Sequence, residues 1–119
     1  MADRTVRFTV SLAINPNELD QFEKTAVSMI ELARKEAGTI LYDWYLSSDR
    51  KSCRLLEAYV DGAAVVKHLS GPVVRELVPK LLQSSKLTGF EVYGDPGPEG
   101  SKILAELQAG VFKTWHTLR

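Results

Sequence analysis

The chain has 119 residues, 45% of them apolar and 25% charged, which is ordinary globular usage and long enough to bury a core without disulfide or metal staples. Its 15 basic and 15 acidic side chains cancel, leaving no field to draw in nucleic acid or an anionic membrane, and no run approaches the roughly 20 apolar residues of a membrane span. One cysteine, Cys53, excludes an internal disulfide, and the charged start from Met1 to Arg7 lacks the apolar run of a secretory leader, so a single cytoplasmic domain is expected.

From Thr5 to Ile14 the residues alternate, with Val6, Phe8, Val10, Leu12 and Ile14 on one side, which predicts a strand with two unlike faces. Asn15-Pro16-Asn17-Glu18 offers a capping residue, a proline at the first helical position and an acid three residues after the cap. Leu19, Phe22, Ala26, Met29 and Ala33 then recur at helical spacing, predicting a helix over 16–37 that stops before Gly38.

Two β-rich runs, 39–47 and 52–60, flank the turn residues Ser48-Asp49-Arg50-Lys51 and predict an antiparallel hairpin. In the first run Ile40, Tyr42, Trp44 and Leu46 share a face, while Leu41 and Tyr45 make the other face bulky too. Alternation therefore does not decide which aromatic residues look towards the helices.

Asp61-Gly62-Ala63-Ala64 opens a short helix to about Leu69, and Gly71-Pro72 restarts a helical pattern that Pro79 should kink or end near Val78. Residues 87–93 read as the fourth strand. After the turn Asp95-Pro96-Gly97-Pro98, residues 99–109 read as a helix and 111–118 as a weak strand or extended tail.

The order β-α-β-β-α-β is the ferredoxin-like split βαβ arrangement, an α+β fold with helices on one face of an antiparallel sheet. The opposite face then needs a cover. A second copy of the same sheet is the simplest one, so a homodimer is expected, with a monomer covered by its own C-terminal segment as the alternative. Residues 1–95 form the expected domain, and 96–119 an extension whose Ile103, Leu104, Leu107, Phe112 and Trp115 pack on the sheet edge or on the partner.

Phosphate-binding glycine motifs, nucleophile elbows and metal-spaced histidines are all missing; His68 and His116 stand far apart in sequence, and Cys53 lies within a strand. No metal site is expected. What remains is Leu55-Leu56-Glu57-Ala58-Tyr59-Val60-Asp61-Gly62-Ala63-Ala64-Val65-Val66-Lys67-His68, a strand, a cap and a helix, preceded by Glu36-Ala37-Gly38-Thr39-Ile40-Leu41-Tyr42-Asp43.

This stretch resembles the antibiotic biosynthesis monooxygenase family, whose third strand and following helix carry a Glu, an aromatic residue, a cap, an alanine and a histidine at the spacing of Glu57, Tyr59, Asp61, Ala64 and His68. The resemblance implies a dimeric α+β barrel with a pocket between each sheet and its own helices, and cofactor-free oxidation of a quinol-like or polyketide-type aromatic molecule. An electron-rich phenolate passes an electron to O2 unaided, so the protein need only bind, deprotonate and exclude water. His68 would be the base, and Tyr42, Trp44 and Tyr59 would supply flat walls, with Glu57 tuning the pocket.

The structural alternatives are a packed His68, aromatic residues spent on core or dimer contacts, and a Glu57 paired with Arg7, Arg54 or a helix N-terminus. Haem-degrading relatives carry Trp at the position of His68 and a ligating His at that of Val78, so the resemblance implies no haem here. An isomerase of small carbonyl compounds and a non-catalytic, stress-associated ligand-binding dimer complete the functional alternatives.

Overall fold

The structure, a computed structural model, describes residues 3–118; Met1, Ala2 and Arg119, the ends of the two expected units, lie outside the described residues. Strand β1 (Val6–Ile14) is central, flanked antiparallel by β3 (Ser52–Tyr59) and β4 (Ser85–Tyr93). Strand β2 (Thr39–Leu46) pairs antiparallel with β3, giving the expected ferredoxin-like order. The weak strand or tail expected over 111–118 forms a strand only at its start, β5 (Gly110–Phe112), which pairs parallel to β4 and makes the sheet mixed, in the order β2-β3-β1-β4-β5.

Alternation in β1 works as read: Val6, Phe8, Leu12 and Ile14 are buried beneath the helices. Register carries this face across the sheet, since Phe8 lies opposite both Glu57 and Val92, and Tyr42 opposite Glu57. A row Tyr42-Glu57-Phe8-Val92 therefore crosses the sheet with one carboxyl group among apolar neighbours. In β2 the shared face is interrupted by a bulge between Thr39 and Leu41 that turns Ile40 out to solvent, and Leu46, still opposite Cys53, is exposed at the strand end.

Helix α1 covers Leu19–Ala33, shorter at both ends than expected. Asn15 does not cap it. The Asn15 amide instead donates to Gln83 O, and Asn17 adopts a left-handed φ of 63°, so Pro16-Asn17 form a turn and Glu18 flanks the helix without a side-chain cap. At the other end the chain tightens, with Lys35 N–H donating to Leu32 O and Glu36 N–H to Ala33 O. These bonds end the helix early and release Glu36 from its solvent face.

Helix α2 (Gly62–Leu69) starts where Asp61 Oδ1 accepts from Ala64 N–H at 2.9 Å. A π-helical turn, Val73–Leu77, leads into α3 (Val78–Leu81), with Pro79 in the first turn of α3; the change of helix type at Val78 is how the backbone accommodates a residue lacking N–H. Helix α4 (Gly97–Glu106) packs on α2 and sends Leu104, fully buried, into a core cluster with Val6, Phe8, Tyr59 and Val65. Phe112 stacks on Tyr93, but Trp115 is 87% exposed, which overturns packing on the chain's own sheet edge for that residue.

The face away from the helices carries Arg7, Thr9 and Ser11 from β1, Leu41 and Tyr45 from β2, and Arg54 and Leu56 from β3. It is a mixed surface, more polar than bulky hairpin residues alone suggest. Among the described residues no helix is long and apolar enough to cross a membrane.

Candidate active site

His68 is the meeting point of three segments. The Asp61 cap fixes the phase of α2, so Ala64, Val65, His68 and Leu69 form its buried inner face. Gly38, between α1 and β2, accepts Val60 N–H on its carbonyl and lies so close to α2 that a Cβ there would stand 2.4 Å from the Ala64 Cβ. That close approach carries Glu36 under the helix, where its Oε1 meets His68 Nδ1 at 2.8 Å.

On the other side of the ring, His68 Nε2 faces Glu57 Oε1 at 3.4 Å, and the Tyr59 hydroxyl donates to the same carboxyl oxygen. The rings of Tyr59 and Tyr42 stand 4.9 and 5.7 Å from the imidazole. His68, Glu57 and Tyr59 are all buried, whereas Glu36 keeps a little solvent access.

The two carboxyl groups differ in kind. Burial pushes Glu36 upward, but the hydrogen bonds from His68 and Thr39, together with the charge of His68, prevail and hold it below the ordinary carboxylate value. Burial dominates at Glu57 and raises it to about 7 against the pull of His68 and the Tyr59 hydroxyl. An ionised Glu36 has no proton to give, so Nδ1–H is the donor in this contact, and the ring is held with Nε2 on the Glu57 side. Tyr42 and Tyr59 are raised well above the usual phenol range by burial and then by the Glu57 charge, so both remain O–H donors.

An apolar cavity of about 180 Å3 lies between sheet and helices, with Glu57, His68 and Tyr42 set into a wall otherwise made of residues such as Phe8, Met29 and Phe90. Larger clefts occur elsewhere, including a groove of about 620 Å3 between α1 and the β2 edge, but they lie away from His68 and are more open to solvent. This more sheltered cavity is therefore where a substrate would meet the buried Glu57 and His68.

Of the residues singled out from sequence, the structure brings His68, Glu57 and Tyr42 to this cavity. Tyr59 sits behind them as the partner of Glu57. Trp44 lines the clefts beside α1 instead, with its ring edge-on to Phe22, and its buried Nε1 has no acceptor among the described residues. The expected pairing of Glu57 with Arg7 or Arg54 does not occur, because register puts those arginines on the opposite face. Glu36 as the partner of His68 lies beyond what sequence pattern shows; the sequence marks it through its place two residues before Gly38.

The model of the antibiotic biosynthesis monooxygenase family matches residues 5–80, more than half of the chain. The chain belongs to the antibiotic biosynthesis monooxygenase family. The matched segment carries all four members of the Glu36-His68-Glu57-Tyr59 chain of contacts, while β4 and the residues after it add Leu87, Phe90 and Leu107 to the cavity wall. Among solved structures the chain is similar to MupZ from Pseudomonas fluorescens, at 20% identity and a TM-score of 0.84 over 100% of this chain and 91% of that one. It is also similar to the N63A mutant of SnoaB, a cofactor-independent oxygenase from Streptomyces nogalater, at 15% identity and a TM-score of 0.69 over 81% and 96%. Rv0793 from Mycobacterium tuberculosis matches at 23% identity and a TM-score of 0.66 over 74% and 91%. At such identities the likeness speaks for the fold, and the full-length match to MupZ extends it through α4 and β5. Among curated proteins nothing matches.

Proposed function

We propose that this family member is a cofactor-independent monooxygenase for a small quinol-like or polyketide-type aromatic molecule, with His68 as the base. The observation that carries the reading is the buried imidazole, fixed through Nδ1 by an ionised Glu36 and facing a weakly acidic Glu57 inside an apolar cavity. His68 Nε2 takes the proton of an activated C–H or O–H group, with Tyr42 and Glu57 binding the oxygen on which charge develops. The resulting anion gives an electron to O2, the two radicals combine in a C–O bond, and the hydroperoxide loses water as its proton balance is returned through His68 and Glu57. One methylene and one O2 become one carbonyl and one water.

An isomerase would use the same pair without oxygen, and Glu57, half-protonated near pH 7, favours it as the second reading because isomerisation needs an acid as well as a base. A passive binder is disfavoured by a histidine that is 3% exposed and set in the cavity wall. The protein is further proposed to act as a homodimer closed over the open sheet face, where Leu41 and Tyr45 are exposed, and in the cytoplasm, whose reducing conditions suit the lone buried thiol of Cys53.

Oxygen uptake with reduced naphthoquinones and anthrones tests the reaction. His68→Ala should lower the rate by about 100-fold or more, the usual worth of a positioned base. Equal uptake by variant and wild type removes His68 from the reaction, and turnover without oxygen decides for the isomerase.

A further inference from the structure

The catalytic cavity is closed at one end and open at the other, and the two ends are built by different parts of the chain. Its closed end holds Glu57, His68 and Phe8, all buried. Its open end is rimmed by Leu82, Leu87 and Leu107, which are 42%, 46% and 42% exposed although they line the same cavity. All three lie beyond residue 80, where the family match ends.

Leu107 is held there by construction. It is the C-terminal flanking residue of α4, Gln108 after it takes a left-handed φ of 60°, and Ala109 N–H closes the turn onto Leu104 O at 3.0 Å, the bond of a Schellman motif. Leu104, fully buried, anchors the same turn in the core. A half-exposed leucine at a locked position, facing two more across an apolar opening, is surface kept for contact with something apolar.

The cavity volume of about 180 Å3 is below the roughly 300–1,000 Å3 of sites that engulf a drug-sized ligand. We infer that the substrate is amphipathic and longer than the cavity, with an acidic or enolisable head at His68 and Glu57 and an aliphatic tail that leaves between Leu82, Leu87 and Leu107. The inference rests on the proposed site but not on the oxidation step. The leucine collar then sets substrate length, with Leu82 supplied by the end of α3, Leu87 by β4 and Leu107 by the turn after α4.

A homologous series of 4-alkylphenols, ethyl to octyl, measured by titration calorimetry, tests the collar. Each methylene buried should raise affinity about fourfold, and the rise should continue past the chain length that fills the cavity. In a Leu82→Ser/Leu107→Ser variant the short members should bind as in wild type while the gain flattens for the long ones. Both leucines are partly exposed, so the variant is expected to fold, and an unchanged thermal midpoint would show it. A plateau after the shortest members in wild type, equal slopes in both proteins, or no binding by any member would each overturn the inference. Because the slope reads binding alone, it stands if oxygen uptake proves independent of His68, and its loss leaves the His68 result untouched.

Discussion

Glu57 should make the protein less stable at neutral pH than in mild acid, and replacing it with glutamine should remove that dependence. Folding raises this carboxyl from 4.5 to about 7, so the folded chain holds the proton more tightly than the unfolded one. The corresponding stabilisation is fully present below 4.5 and is lost as pH rises through about 7. At about 1.36 kcal/mol per tenfold change in proton affinity, the loss amounts to roughly 3 kcal/mol, a large share of the 5–15 kcal/mol typical of a domain. Glu57→Gln keeps an oxygen to accept the Tyr59 hydroxyl while abolishing the titration. Urea unfolding followed by circular dichroism at constant ionic strength, in steps from pH 4 to pH 8.5, measures the difference between variant and wild type. That difference should grow in favour of the variant across the window from 4.5 to 7 and then level. Two stability curves running parallel through that window would refute the reasoning, because a carboxyl titrating alike in both states contributes no slope.

Glu36→Gln acts on the other side of that window. Glu36 lies below its unfolded value, so its stabilisation is present above 4.5 and fades as pH falls through its folded value; the variant should have a flatter acid limb in the same unfolding assay. It should also lower kcat about tenfold or more with little change in KM, since it removes the negative charge beside the Nδ1–H of His68 without touching the cavity wall, and an unchanged kcat would reduce Glu36 to a structural contact. Sedimentation velocity at micromolar concentration should show a dimer, and Leu41→Glu on the open sheet face should shift it towards the 13.2 kDa monomer; a wild-type monomer would remove the second copy from the proposal.

The fold was legible because its strong signals are periodic. Alternation in 6–14 and the Asp61 cap each report a local preference that the packed protein also satisfies, and both elements formed where they were read. The misreadings are equally physical. Asn15-Pro16 carried a helix-start signal, but the Asn15 side chain and backbone found partners in Gln83 O and Ser84 O, contacts no local pattern announces. The bulge after Thr39 shifts Ile40 off the face that strict alternation gave it. The site was half legible: Glu57 and Tyr59, two apart on a strand, must share a face, and His68 follows on the next helix. Glu36 was hidden because its role depends on α1 ending early and on Gly38 letting α2 close over it, both tertiary outcomes.

The most informative oddity is the position of Glu57 within its row. Tyr42, Phe8 and Val92 beside it are the residues a stable sheet would place under helices, and a leucine at the same point would spare the sheet a carboxyl whose charge is costly to bury. What offsets that cost is local: the Tyr59 hydroxyl from its own strand and His68 from the helix above, with Glu36 keeping the histidine in place. A destabilising group surrounded by partners and set in a cavity wall carries the stability cost expected of a working site, and this is what supports the ligand-directed role proposed for Glu57.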